Sequence, residues 1–263
     1  MATRPSRTAA PLSAYVLHRY DWSESSLILD LFTRELGRIA VVAKGAKRPH
    51  SQLRSVLLPF QRIGVTLGRA ARDEGSSDVH NLRGAEWAGG AAMLTGAALF
   101  SGFYVNELLM KLLARHDPHT GLFDIYAQTL PALVARDDAA VQAALRAFEL
   151  ALLREVGVLP DLSLVTLTQQ AVHADARFIL QAEAGVGDAR GAEVHLAGAA
   201  LTGLQAALEH GSFAALQHAC RDSLPELKVL LRGLIQHHLG TSTLRTRRVM
   251  LELQSLQSEG ARP

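Results

Sequence analysis

The stretch SSLILDLFTRELGRIAVVAKGAKR, Ser25 to Arg48, decides the fold. Ser25 to Arg34 and Arg38 to Lys44 are rich in β-branched and alternating apolar residues, the pattern of strands with a buried face. Glu35-Leu36-Gly37 between them carries turn chemistry, and the second strand runs into a basic connection, Lys44-Gly45-Ala46-Lys47-Arg48. On either side, Ala14 to Arg19, Leu57 to Gly68 and Asp78 to Trp87 read the same way. The breaks at Asp21-Trp22-Ser23-Glu24, at Lys44 to Ser55 and at Arg72 to Ser77 hold turn-forming residues. Five strands in about 75 residues predict a small β-barrel. Residues 1 to 12 have no periodic apolar pattern and are expected to form a mobile tail.

After Glu86 the period changes. Apolar residues recur every three or four positions, and helices are predicted over Trp87 to Ala114, Thr120 to Ala135, Ala139 to Val156, Gly198 to Leu208, Ser212 to Cys220, Pro225 to Leu239 and Ser242 to Ser258. In the third of these, Val141, Leu145, Phe148, Leu152 and Val156 form one apolar stripe. Helical periodicity weakens between Gly157 and Ala197, where Leu164 to Leu167 and Arg177 to Gln181 read as short extended pieces of a small irregular insert. The expected architecture is therefore α+β and multidomain. A barrel over residues 13–87 precedes an all-α domain over 88–263 that carries the insert at about 158–197.

Composition bounds the function classes. A chain of 263 residues, 48% of them hydrophobic and 20% charged, can bury one good core or two modest ones. The longest apolar stretch, Ala88 to Val105, is interrupted by Gly and polar groups and falls short of a membrane span. His18, Arg19 and Asp21 arrive before an apolar signal segment can form, so a cytoplasmic location is expected. A single cysteine, Cys220, excludes an internal disulfide framework and any multi-cysteine zinc site. Its apolar helical surroundings predict a buried small hydrophobe rather than a nucleophile.

Charge is unevenly spread. Residues 1–86 hold 13 Lys/Arg against 8 Asp/Glu, whereas the remainder holds 14 against 17. Between Arg34 and Arg72, Arg34, Arg38, Lys44, Lys47, Arg48, Arg54, Arg62, Arg69 and Arg72 face the single acid Glu35. Such a footprint suits a polyanion, because each cation that neutralises a phosphate releases condensed counterions whatever the base sequence. The candidate nucleic-acid residues are Lys44, Arg48, Lys47, Arg34, Arg38, Arg54 and Arg69. Lys44 and Arg48 lead because they bracket the most polar, flexible connection; the alternative is a solvated basic loop. Among the aromatics of this half, Tyr15, Tyr20, Trp22, Phe32 and Phe60, the last two alternate with apolar residues and are expected in the core.

Enzyme readings fail at the motif level. There is no G-x-x-x-x-G-K-[ST], H-E-x-x-H or G-x-S-x-G, and the Gly185-Val186-Gly187 and Gly191 cluster reads as a flexible loop. His237 and His238 are adjacent, and His218 and Cys220 two apart, so neither pair shares a helix face. No cofactor, metal or catalytic residue is expected. Arg115, Arg146, Arg154 and the Arg245, Arg247 and Arg248 group are candidates for holding acidic partner segments, with Arg115 or Arg154 reading a terminal carboxylate.

These residues resemble the RecO family of recombination mediators. The resemblance runs from Ala14-Tyr15-Val16-Leu17-His18 through Trp22-Ser23-Glu24-Ser25-Ser26-Leu27, Leu29-Asp30-Leu31-Phe32-Thr33, Gly37-Arg38, Val42-Ala43-Lys44-Gly45-Ala46-Lys47-Arg48 and Leu58-Pro59-Phe60. It continues through Tyr104-Val105-Asn106-Glu107-Leu108-Leu109, Leu122-Phe123-Asp124, Arg146-x-Phe148-Glu149 and Leu239-Gly240, with Thr246-Arg247 where the family usually has Ser-Arg. It implies an N-terminal OB fold and a helical domain, binding of single- and double-stranded DNA, strand annealing, and a place at the nucleoid. It also implies RecR as a partner, RecF in some lineages, the C-terminal tail of single-stranded-DNA-binding protein (SSB), and help in loading RecA. Many relatives carry a four-cysteine zinc motif after the helix ending near Gly157; Asp161 to Ala176 has no Cys here. No zinc is therefore expected, and Leu162, Leu164, Val165 and Leu167 are expected to pack the insert instead. The competing reading is an adaptor whose basic barrel binds acidic protein segments.

Overall fold

A computed structural model describes residues 10–68, 79–90, 93–240, 244–250 and 252. Two compact units emerge, Met1–Met93 with Leu113–Phe123, and Leu94–Leu112 with Asp124–Pro263. The first is a closed barrel of β1 (Leu12–Asp21), β2 (Leu27–Thr33), β3 (Gly37–Ala43), β4 (Arg62–Leu67) and β5 (Val79–Trp87), in the order β1-β2-β3-β5-β4. Every pairing is antiparallel except β3 with β5. That order is the OB fold. One helical turn, α1 (Leu53–Val56), stands between β3 and β4.

Period-two alternation sends Leu29 and Leu31 inward from β2, Ile39 and Val41 from β3, and Ile63 and Val65 from β4, where they meet Ala14 and Val16 in one sealed core. Closure removes sheet edges, so each strand spends its backbone donors within the barrel. The outer face of β2 is buried as well. Segment 113–123 lies over it, with the Phe123 ring 5.3 Å from Tyr15 and 5.4 Å from Phe32. The His116 amide donates to the Arg38 carbonyl at 2.9 Å, and the Arg38 guanidinium donates to the Leu113 carbonyl at 3.0 Å. Gly37 makes this approach possible. Its φ is +67°, and a Cβ there would stand 1.8 Å from the Asp117 carbonyl oxygen. The helix predicted over Trp87 to Ala114 is corrected to Gly96–Leu112, and residues 113–119, ahead of the helix that starts at Thr120, are tied to Arg38 of β3.

The second unit is built around α4 (Asp138–Glu155), capped by Asp137, whose carboxylate accepts from the Ala139 amide at 3.1 Å. Packed on it are α2 (Gly96–Leu112), α6 (Phe213–Ala219) and α7 (Leu224–Leu239), and the helical half also holds α3 (Thr120–Ala132) and α5 (Gly198–His210). Every residue of α4 from Ala143 to Leu153 is buried. The single apolar stripe expected there is therefore too narrow, because α4 is wrapped by neighbours rather than lying on a surface. Residues 245–250 are helical, and the rest of the last predicted helix falls outside the described residues.

The insert is more ordered than expected. β6 (Arg177–Gln181) pairs antiparallel with β7 (Gly185–Asp188) and β8 (Leu196–Ala197), burying Phe178, Leu180, Val186 and Leu196. The Gly185 to Gly187 piece is a strand, not a loop. Gly185, at φ +69°, leaves room for Thr166, whose hydroxyl would come within 2.1 Å of a Cβ there and which accepts from the Val186 amide at 2.8 Å. Leu162 is fully buried but Leu167 is 83% exposed, so only part of the expected leucine run packs the insert. Among the described residues no helix is long and apolar enough to cross a membrane.

Candidate nucleic-acid interface and a basic-rimmed groove

One mouth of the barrel opens into a depression of about 440 Å³ lined by Arg19, Asp21, Lys47 and Arg54, with Leu27 and Leu57 at its base. Strand alternation places Arg19 and Asp21 on this side of β1. The Arg19 guanidinium donates to the Leu57 carbonyl at 3.3 Å, and Lys47 Nζ lies 3.1 Å from an Asp21 carboxylate oxygen and donates to the Ser23 carbonyl at 2.9 Å. Lys44, Arg48 and Arg54 are exposed. The connection that carries them is a chain of hydrogen-bonded turns: Arg48 N to Gly45 O, Ser51 N to Arg48 O and Arg54 N to Ser51 O. Ala46 is buried within it and the Lys47 amide is tied to the Ser25 carbonyl at 3.0 Å. Internal backbone bonds and the buried Ala46 give this connection a defined turn structure, with Lys44, Arg48 and Arg54 exposed on it.

Of the sequence candidates, the structure brings Lys47 and Arg54 onto the depression and puts Lys44 and Arg48 on the same connection. Arg38 points elsewhere. It pairs with the buried Asp30 at 3.3 Å on the outer face of the barrel, where Arg115 also approaches Asp30 at 3.9 Å. Arg34 sits half-buried in the β2–β3 turn, its amide donating to the Ser13 carbonyl at 2.9 Å. Arg69 lies outside the described residues. Arg19 was absent from the sequence candidates. Its signal was available in principle, as a cation at the wet end of a strand whose inner half is all apolar.

A second concavity belongs to the helical unit. Phe100, Leu145, Ile235, Leu244 and Met250 line a groove of about 370 Å³, and Lys228, Arg232 and Arg247 stand among its polar residues. Arg146 and Tyr104 also line it. Both reach the fully buried Glu149, with Arg146 donating at 2.7 Å and the Tyr104 hydroxyl at 2.6 Å to the same carboxylate oxygen. Burial pushes the Glu149 carboxyl above its ordinary range, against the opposing pull of Arg146. Burial and the neighbouring Arg247 and Arg146 charges together lower the Arg232 pKa. A cluster of cations that repel one another around an apolar trough is stabilised by an incoming anion. Arg154, at the exposed end of α4, and Arg115, in the first unit, do not line it.

Behind the groove, Glu107 of α2 accepts from the Arg245 amide at 2.8 Å, the Thr246 amide at 2.9 Å and the Thr246 hydroxyl at 2.7 Å, tying residues 245–246 to α2. Although burial raises its pKa, these bonds outweigh that effect and hold the carboxyl below its ordinary range. Cys220 is buried, and burial pushes its thiol up to about 12, which keeps it protonated and inert.

Barrel and helical unit together define a class: an OB-fold protein with a cationic mouth, extended by a helical unit with its own basic-rimmed groove. Comparison with known proteins agrees. The family profile described as Recombination protein O N terminal matches residues 10–87, and that described as Recombination protein O C terminal matches residues 93–248. Proteins named DNA repair protein RecO are similar along almost their whole length. The one from Variovorax paradoxus is 52% identical over 253 residues, spanning 92% of this chain and 96% of the relative. That from Albidiferax ferrireducens is 49% identical over 245 residues, spanning 92% and 95%. That from Acidovorax ebreus is 48% identical over 263 residues, spanning 95% and 99%. The chain belongs to the recombination protein O (RecO) family of DNA repair proteins.

Proposed function

We propose that this protein is a non-enzymatic recombination mediator that binds single- and double-stranded DNA at the barrel mouth, anneals complementary strands and helps load RecA onto strands coated by single-stranded-DNA-binding protein. The observation that carries this reading is the convergence of Arg19, Lys47 and Arg54 on one depression, beside the exposed Lys44 and Arg48. Two strands held against such a surface have part of their mutual repulsion neutralised and can search for register, so annealing needs positioning and no covalent step.

The helical groove supports the partner half of the proposal. An acidic peptide with a free terminal carboxylate, as the family resemblance implies for the SSB tail, would place its apolar parts against Phe100, Leu145 and Ile235 and its charges on Lys228, Arg232 and Arg247. RecR, and RecF in the lineages that use it, complete the proposed assembly.

The test is a fluorescence-anisotropy titration of a labelled single-stranded oligonucleotide across a salt series. Wild type is expected to lose affinity with a log-log slope of about −0.7 for each phosphate contacted. A Lys44→Ala/Arg48→Ala variant is expected to bind more weakly with a shallower slope. Failure of wild type to bind at low salt would sink the DNA reading and leave the adaptor in its place.

A further inference from the structure

Trp22 stands 66% exposed at the start of the β1–β2 connection, an apolar indole held in water at a site where burial would have been favourable. Its backbone is held in a closed turn. The Trp22 and Ser23 amides both donate to the Ser26 carbonyl, at 3.3 and 3.4 Å, which closes the turn. Lys47 then clamps the turn from the next loop, with its Nζ against the Asp21 carboxylate on one side of Trp22 and the Ser23 carbonyl on the other. Asp21 and Lys47 themselves line the basic depression. The indole is therefore within one residue of both anchor points of a cation in the barrel mouth, on the rim loop that OB folds present to oligonucleotides.

The other aromatics of the barrel divide cleanly. Tyr15, Phe32 and Phe60 are buried, whereas Tyr20, 44% exposed, is turned to the opposite side of β1, where its ring meets His18 at 4.4 Å and partial burial followed by the Asp30 charge raises its pKa. Trp87, 64% exposed, lies opposite Ile63 on β5.

The geometry points to Trp22 as a base-stacking platform that makes the barrel mouth prefer single strands over duplex. The inference rests on the DNA reading above and adds the residue that discriminates. Phosphates on Arg19, Lys47 and Arg54 are common to both substrates, so charge alone selects neither. An indole face is usable only by a base that is not already stacked on two neighbours, which a single strand offers throughout and a duplex only at its ends.

The test uses the full chain carrying Trp87→Phe, so that Trp22 is the sole fluorophore of its kind. Addition of an unlabelled oligothymidylate is expected to quench the indole emission in step with binding measured by anisotropy, whereas a blunt duplex of equal length binds without comparable quenching. Trp22→Ala is expected to weaken single-strand binding about tenfold or more, the fold-change that corresponds to stacking one base. Duplex affinity stays within about twofold, and Trp22→Phe, which keeps an aromatic face, retains most of the single-strand affinity. If binding remains salt-sensitive and dependent on Lys47 while Trp22→Ala changes nothing and no quenching occurs, the stacking role is overturned and the DNA reading stands. Equal losses for single strand and duplex also overturn it, because Trp22 would then only shape the loop. If wild type binds no DNA at low salt, both readings fall together.

Discussion

At the scale of single residues, Arg146 and its neighbours Arg232 and Arg247 line the same groove yet do different work. Arg146 is buried beside Glu149 at 2.7 Å, whereas Arg232 and Arg247 are half-buried. Removing one partner of a buried pair leaves the other charge without compensation. Arg146→Ala is therefore expected to cost about 3–5 kcal/mol of stability in urea unfolding. Arg232→Ala and Arg247→Ala relieve like-charge repulsion and are expected to change stability by less than about 1 kcal/mol while weakening an SSB-tail peptide several-fold. Peptide binding by the latter two that equals wild type would remove the peptide from the groove. Sequence reasoning nominated Arg146 and Arg247 for acidic partners but gave the carboxylate to Arg115 or Arg154, which do not line the groove. Spacing along a helix names the cations; only packing shows which of them share a trough. The aromatics teach the same lesson, since apolar alternation correctly buried Phe32 and Phe60 but was silent on Trp22, which lies in a turn where period two no longer operates.

Elements were legible to the degree that local pattern made them. β2, β3 and the turn between them could be read because alternation, β-branching and Gly37 agree within a short stretch. The docking of 113–123 onto that turn had no such signal. Its bonds run from the Arg38 guanidinium to Leu113 and from His116 to the Arg38 carbonyl, pairings with no periodic trace. The insert illustrates the reverse case, because a glycine pair that looks like a loop in sequence is a strand whose first glycine accommodates Thr166. Gly37 permits a direct test of the docked segment. Alanine there adopts φ +67° at a cost and drives its Cβ against the Asp117 carbonyl oxygen, so Gly37→Ala is expected to lose about 3 kcal/mol or more. Wild-type stability of that variant in thermal and urea melts would mean that Asp117 does not pack on the turn as described.

For the molecule as a whole, the buried carboxylates Glu149 and Glu107 respond to acid with opposite signs. Glu149 has a raised pKa, so the folded state holds its proton more tightly than the unfolded chain does. Its contribution to stability is present at low pH and is lost as pH rises through that raised value. Glu107 has a lowered pKa, so its contribution is present above the unfolded value of about 4.3 and is lost as pH falls through the folded one. From neutral pH downward, Glu149 therefore offsets early losses, and the fall attributable to Glu107 begins as pH drops through the ordinary carboxylate value and is complete below its lowered one. What Glu107 holds is specific: the Arg245 and Thr246 amides and the Thr246 hydroxyl, more than a hundred residues along the chain and beside groove residue Arg247. Glu107→Gln keeps an acceptor but loses the charge and one oxygen, and is expected to cost about 1–3 kcal/mol at pH 7. In wild type, protonation once pH falls below that lowered value weakens the same bonds, so the gap in urea midpoint between wild type and variant should narrow from neutral to strongly acid pH. A gap of equal size at both pH values would show that the anchoring of residues 245–246 does not depend on the Glu107 charge, and the acid response would then have to come from other groups.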